Sequence, residues 1–331
     1  MNVGLNMMKR CRQRLGGFGL MCCLLAGATS AWAVFPERPV KILIGFTPGT
    51  TGDVLLRVLA PKLSERWGQP VVVDNRPGAG SQVAAEAVAK STPDGYTLLL
   101  STSANVINAS LPIPQKVDFL KELMPLTLLA ENPVVLVTSG TGTARQLTDL
   151  VSMARSAPGR MAFASSGNGT FTHLYGELFN QSAGVKLVHV PYKGSTQALG
   201  DVMSGTVDVA FSPVTPVLGL VNSGKLRALG VIGRAKLPEW PDVPTLTQAG
   251  IAGFDSALWF GLNAPAATPP EVAQQIIQDL QWAMALPDVQ TQLLAKGIHP
   301  LPMGVTPFRE QIQREQTQWT RLIKQAGIRA D

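Results

Sequence analysis

Two stretches place hydroxyls and glycines where an apolar strand gives way to a helix, a spacing suited to holding an anion. The first is Phe46-Thr47-Pro48-Gly49-Thr50, which follows the apolar run Ile42-Leu43-Ile44 and precedes Asp53. The second is Ser166-Gly167-Asn168-Gly169-Thr170, set between Met161-Ala162-Phe163-Ala164-Ser165 and a helical pattern from Phe171 to Ala183. Strand, glycine loop and helix N-terminus together aim backbone N–H groups at one spot beyond the sheet edge, where the helix dipole adds positive potential. One such loop early and one mid-chain point to two lobes offering amides to a single ligand. The other reading is a pair of ordinary βα turns. Neither loop contains Lys or Arg, so recognition there would rest on amides and on the hydroxyls of Thr47, Thr50, Ser166 and Thr170.

Further polar side chains fall at other strand ends. Ser103 closes Leu100-Ser101-Thr102, Tyr192 and Lys193 follow Leu187–Val190, and Ser212 follows Val207–Phe211. In an open α/β sheet the carboxyl ends of strands are where ligands bind. Asp53, in the first turn of its helix, suits the dipole and reads first as structural. His173, His189 and His299 stand in no metal-ligand spacing and read as structural, so removing His173 is expected to leave recognition nearly intact. The chain has no G-x-S-x-G elbow and no G-x-x-x-x-G-K-[ST] loop, and Gly167-x-Gly169 lacks the third glycine of a dinucleotide fingerprint. No nucleophile–base pair and no cofactor motif emerges.

With 331 residues, 45% hydrophobic and 15% charged, the chain is long enough for two domains with ample core. Its first 33 residues read as an export signal. Lys9, Arg10, Arg12 and Arg14 form a basic start, an apolar and small-residue stretch follows from Leu15 to Ala28, and Ala31-Trp32-Ala33 fits a cleavage site. Cleavage after Ala33 would leave 24 Lys+Arg against 22 Asp+Glu, a net charge of +2, which offers no footprint for nucleic acid. Cys11, Cys22 and Cys23 all lie within the signal, so the exported chain has no thiol for a disulfide, a nucleophile or a metal.

Apolar runs and helical periods alternate along the remainder. Val40–Ile44, Val71–Val73 and Tyr96–Leu100 read as strands, separated by helices over Gly52–Trp67 and Gln82–Lys90, with Pro61 expected to kink or restart the first. Pro125–Ala130 and Val134–Thr138 are extended and mark the crossing into a second βαβ array. Ala257–Leu262 reads as the return crossing, with Trp259 on it. The tail reads as helical, with Thr306 capping a last helix that carries Phe308, Ile312, Trp319 and Leu322 on one face. The expected division is residues 34–131 and 257–331 in lobe 1 and residues 132–256 in lobe 2. Two crossings would permit hinge closure.

At this level the chain resembles the extracytoplasmic solute receptors of tripartite tricarboxylate transporters, the Bug family. The resemblance rests on Phe35-Pro36-Glu37-Arg38-Pro39-Val40, Phe46-x-Pro48-Gly49 with Asp53, Gly68 to Gly80, Pro93-Asp94-Gly95-Tyr96, Ala164 to Thr170, His189 to Gly194, Pro241-Asp242-Val243-Pro244 and Trp259-Phe260-Gly261. It implies an α/β, two-lobed periplasmic binding protein of the Venus-flytrap, type II-like kind, each lobe a doubly wound sheet flanked by helices. It also implies a small carboxylate or amino-acid ligand, membrane permease subunits as partners, a periplasmic location, no cofactor and no catalysis. The rival function is an exported α/β enzyme acting on a small acid, and a third is a ligand-reporting partner of a sensor kinase. The chain departs from the family pattern at Thr50, where a second glycine is usual, and at Gly45 and Thr47, where proline is usual. Ser212-Pro213 also stands where the family often has Asp-Asn.

Overall fold

A computed structural model of the chain describes residues 35–192 and 195–329. The expected signal over residues 1–33, its cleavage site and Lys193 lie outside the described residues. In chain order the strands are Val40–Ile44 (β1), Val71–Asn75 (β2), Thr97–Thr102 (β3), Leu123–Asn132 (β4), Val134–Ser139 (β5), Ala162–Ser165 (β6), Val188–Pro191 (β7), Val209–Pro213 (β8), Leu226–Ile232 (β9), Leu258–Pro265 (β10) and His299–Met303 (β11). The helices are Thr51–Trp67 (α1), Gln82–Ala89 (α2), Ser103–Ser110 (α3), Phe119–Glu122 (α4), Leu147–Ser156 (α5), Phe171–Ala183 (α6), Ser195–Ser204 (α7), Val214–Asn222 (α8), Pro270–Ala285 (α9), Pro287–Leu294 (α10) and Val305–Ala326 (α11).

The strands form two sheets within one body that begins at Arg38. The first runs β11-β4-β10-β3-β1-β2 and the second β7-β6-β8-β5-β9. In the first, β1 pairs in parallel with β2 and β3, while β10 lies antiparallel between β3 and β4. The second sheet repeats the plan: β6 is parallel to β7 and β8, and β5 lies antiparallel between β8 and β9. Each lobe is therefore an α/β unit with one antiparallel strand inside its sheet, and the first sheet adds a second, β11, at its edge. Ile42, Leu43 and Ile44 of β1 and Leu98, Leu99 and Leu100 of β3 are fully buried, as strands covered by helices on both faces must be.

The chain passes from one sheet to the other at Pro133, between β4 and β5, and returns between β9 and β10. These passages are adjacent, because Leu258 pairs with Asn132 and Val134 pairs with Ile232. Buried Asn132 donates from Nδ2 to Thr51 Oγ1 of the first lobe at 3.2 Å and to Thr215 Oγ1 of the second at 2.9 Å. One amide thus joins both lobes at the turn of the chain.

Four sequence expectations differ from the fold. The helix α1 continues through Pro61 without a break, stopping at Gly68 in the left-handed conformation. The tail is not wholly helical, since β11 joins the edge of the first sheet, where Pro300 and Pro302 cost no ladder bond that a central strand would need. Gly304, not Thr306, holds the N-cap of α11, whose buried face does carry Phe308, Ile312, Trp319 and Leu322. Ser101–Ser103 is not only a strand end: Thr102 caps α3 in a capping box with Asn105, starting a helix directly at the sheet edge.

Candidate ligand-binding site

Both glycine loops stand at the carboxyl ends of their strands, each opening a helix whose N-cap threonine, Thr50 or Thr170, makes no side-chain capping bond. The first-turn amides of α1 and α6 are therefore left without a side-chain cap, which favours an anion at either end.

Loop 1 is fastened from beneath by Asp53, which is 2% exposed. Its Oδ2 accepts from the Gly49 N–H at 2.9 Å and from Arg57 Nε at 2.8 Å, and its Oδ1 accepts from Asn75 Nδ2 at 3.1 Å. Asn75 Nδ2 also donates to the Phe46 carbonyl at 3.0 Å. Burial pushes the Asp53 carboxyl up, but the bonds from Arg57, Gly49 and Asn75 and the Arg57 charge together hold it below the usual aspartate value. Asp53 thus clamps the loop, with both carboxylate oxygens bonded to loop 1, Arg57 and Asn75. At the head of the loop, an added Cβ on Gly45 would lie 2.1 Å from Ser81 Oγ. The proline usual in the family would collide with Ser81.

Loop 2 is also tied inward. The Ser166 N–H donates to Thr172 Oγ1 at 2.9 Å, the Gly167 N–H to Ser165 Oγ at 3.1 Å and the Gly169 N–H to His173 Nδ1 at 3.1 Å. The Ser166, Thr170 and Thr172 hydroxyls lie within 2.9–3.3 Å of one another. This corrects the expected cradle of loop amides: those of Ser166, Gly167 and Gly169 serve the loop's own shape. The Thr170 hydroxyl also donates inward, to the Gly167 carbonyl at 2.7 Å, which leaves for a ligand the Ser166 hydroxyl, held to Thr170 at 3.3 Å, and the first turn of α6. Gly167 at φ 128° and Gly169 at φ 70° supply the left-handed backbone that folds the loop back on itself.

A cleft of about 560 Å³ separates the lobes and brings Phe46 of loop 1 together with Ser166, Asn168, Gly169, Thr170 and Phe171 of loop 2. That volume lies within the usual small-molecule range of about 300–1,000 Å³. Its other wall comes from the first lobe: Ala79, Gly80 and Gln82, then Ala104, Ile107 and Asn108 on α3, then the Leu111–Lys116 segment. Sequence reading missed this wall, although the Arg76-Pro77-Gly78-Ala79-Gly80 turn and the irregular chain after Leu111 were visible signals.

Several expected residues stand elsewhere. Gly49 borders a second hollow of about 240 Å³ beside Thr51, Thr215 and Lys296, near the crossing at Asn132. Thr47 and Pro48 are exposed, Thr50 is half-buried with its hydroxyl donating to the Thr47 carbonyl, and none of the three lines the cleft. Tyr192 donates its hydroxyl to Asp201 Oδ2 at 2.6 Å and is pushed up to about 12 by that bond, with burial and the Asp201 charge adding. It backs loop 2, its carbonyl 3.5 Å from where a Cβ on Gly167 would stand. Ser212 Oγ donates to the Pro213 carbonyl. Ser103 is 3% exposed with an unpartnered hydroxyl, next to cleft-lining Ala104.

Known proteins similar to this chain include a receptor family and solved periplasmic binding proteins. Residues 55–328 match the family model TctC, described as Tripartite tricarboxylate transporter family receptor. Protein BugT of Bordetella pertussis is 34% identical over 297 residues, covering 89% of this chain and 91% of that protein. The structure of periplasmic binding protein BugD aligns with a TM-score of 0.74 at 28% identity, over 90% of this chain and 100% of that one. R. palustris Rpa4515 with adipate aligns with a TM-score of 0.77 at 30% identity and the same coverage. From a family match that runs through both lobes, this chain belongs to the tripartite tricarboxylate transporter receptor family.

Proposed function

We propose that the protein captures a small carboxylate between its two lobes in the periplasm and hands it to the membrane permease subunits of a tripartite tricarboxylate transporter. The observation that carries this reading is the shared cleft, in which Phe46 of one lobe and Ser166–Phe171 of the other line a single cavity. A ligand that touches both lobes stabilises the closed pair, as a receptor requires. Family membership makes the chain a binding receptor and not an enzyme, and Rpa4515, at 30% identity, holds adipate. The lobes divide at residues 131/132 and 256/257, beside the two chain passages. Among the expected contacts, Phe46, Ser166, Asn168, Gly169 and Thr170 meet the ligand directly. Gly49, Asp53, Gly167 and Tyr192 shape the loops that present them.

Mass spectrometry of the small molecule that copurifies with the exported protein tests this reading. A carboxylic acid returned unchanged after incubation is expected; a ligand without a carboxylate, or one converted during incubation, would overturn it. N-terminal sequencing of the exported form is expected to begin at Val34.

A further inference from the structure

The cleft is lopsided in its chemistry. On the second lobe it presents the Ser166 hydroxyl and the uncapped first turn of α6, while the Thr170 hydroxyl donates its proton to the Gly167 carbonyl at 2.7 Å. The first-lobe wall is apolar, with Phe46, Ile107, Leu111, Ile113 and Pro114 facing the space. Its polar members are already engaged: Asn108 Nδ2 donates to the Gly80 carbonyl at 2.5 Å, and Gln82 Nε2 donates to Gln115 Oε1 at 2.8 Å. Among the described lining residues Lys116 alone carries a charge, and it sits exposed at the rim, 3.7 Å from Glu86.

We infer that this cleft selects a monocarboxylate with an apolar body over a dicarboxylate of the same length. The inference rests on the carboxylate reading given above. One carboxylate finds the Ser166 hydroxyl and a helix N-terminus on the second lobe, and the rest of the ligand lies against aliphatic and aromatic side chains that gain from burial. A second carboxylate at the far end would be pressed on the Ile107–Pro114 wall, where the amides of Asn108 and Gln82 each already donate one bond and the one described cation, Lys116, sits at the solvent rim beside Glu86. Lys116, screened by solvent and shared with Glu86, steers anions toward the mouth more than it neutralises a bound one.

Calorimetric titration of the exported protein, stripped of bound ligand by reversible unfolding, tests this with two matched pairs: hexanoate against adipate, and benzoate against terephthalate. In whichever pair binds, the monoacid is expected to bind at least tenfold tighter. A diacid that binds as tightly or tighter overturns the inference and leaves the carboxylate reading standing. If none of the four binds and the copurifying ligand is not an acid, both fall together. A second arm uses Ile113→Arg, at a half-buried loop position, with native circular dichroism required. It is expected to shift the diacid-to-monoacid affinity ratio at least tenfold toward the diacid; an unchanged ratio places the far end of the ligand away from this wall and overturns the inference.

Discussion

The imidazoles of His173 and His189 lie face to face, ring centroids 3.7 Å apart and planes 8° from parallel, directly beneath the second glycine loop. Each ring holds one end of that loop. His173 Nδ1 accepts from the Gly169 N–H, and His189 Nε2 lies 2.6 Å from Ser165 Oγ. Phe163 packs against the pair, 5.0 Å from His189 and 6.4 Å from His173. The pair is a structural support, as isolated histidines usually are, but one whose load is the loop proposed to meet the ligand. His173→Ala leaves a buried amide unpaired, at a cost of about 1–3 kcal/mol. Ligand affinity by calorimetry is expected to fall about tenfold with helix content unchanged. Affinity equal to the wild type would return His173 to the bystander role that its sequence context suggested.

Gly169→Val tests the same loop from its backbone. A β-branched side chain at φ 70° is strained, and any adjustment pulls the amide off His173. Binding is expected to weaken by more than the single hydrogen bond of about 1 kcal/mol would account for, a Kd change well beyond fivefold. Wild-type affinity in a natively folded variant would remove this loop from the site.

How far the chain can be read without its fold is plain in this region. Phe171–Ala183 was visible to the residue, because an apolar period ends at Gly184, which takes the left-handed cap. The inward turn of the amides was not, since a strand, glycine loop and helix in sequence do not tell whether the Thr172, Ser165 and His173 side chains turn back onto the loop or away from it. The helix Ser103–Ser110 escaped for a different reason. Ser-Ala-Asn-Val-Ile-Asn-Ala-Ser is poor in intrinsic helix formers, and tertiary packing against α11 decides its state. Losing that helix meant losing Ala104, Ile107 and Asn108 from the candidate site. The strand His299–Met303 carries two prolines, a pattern that argues against a strand anywhere except at the edge where it lies.

Asp53→Asn should loosen loop 1. The change removes the ion pair with Arg57, and the new amide nitrogen cannot accept the Gly49 or Asn75 donors. Loss of stability at pH 7 is expected to be about 2 kcal/mol. Because the folded carboxyl titrates below its ordinary value of 3.8, its stabilisation is complete above about pH 4 and disappears as the pH falls through the lowered folded value. The gap between variant and wild type in urea unfolding should therefore close on going from pH 7 to the most acid conditions at which both still fold. A gap independent of pH would mean that the charge of Asp53 contributes nothing.

Glu131 gives a pH dependence of opposite sign. It lies at the end of β4 beside the passage between lobes, 7% exposed, with one carboxyl oxygen unpartnered. Burial raises its carboxyl to about 7, with the Arg234 charge opposing and the Glu315 charge adding. Between pH 4.5 and 7 the folded protein keeps a proton that the unfolded chain has released. The resulting stabilisation is full below about pH 4.5 and lost as the pH rises through 7, a span of about 3 kcal/mol. Glu131→Gln should flatten this slope and exceed the wild type in stability at pH 8. Because the Glu315 charge acts on Glu131, the difference between the two proteins reports Glu131 together with its coupling to Glu315. Parallel pH profiles for the two proteins would refute the assignment.

Lobe closure should be reported by Trp319 and not by Trp259, the tryptophan that the return crossing first singled out. Trp259 is fully buried, donates from Nε1 to Glu315 Oε2 at 2.8 Å and meets Phe308 edge-on at 5.1 Å. Both partners belong to α11, which packs on β4 of the first sheet, so a rigid rotation of the lobes leaves these contacts unchanged. Trp319 is on the same helix but meets Tyr175 of α6 at 5.6 Å and 78°, and α6 packs on the second sheet. The Tyr175 hydroxyl in turn donates to the Ser256 carbonyl at 2.6 Å, just before β10. A hinge rotation must slide α6 past α11 at this contact. Saturation with the copurifying acid is expected to lower the radius of gyration in small-angle scattering and to shift tryptophan emission. Trp319→Phe should abolish most of the emission shift while the radius still falls, and Trp259→Phe should retain both. A shift that survives in Trp319→Phe and vanishes in Trp259→Phe would show that the moving boundary runs through the first sheet instead of between α6 and α11.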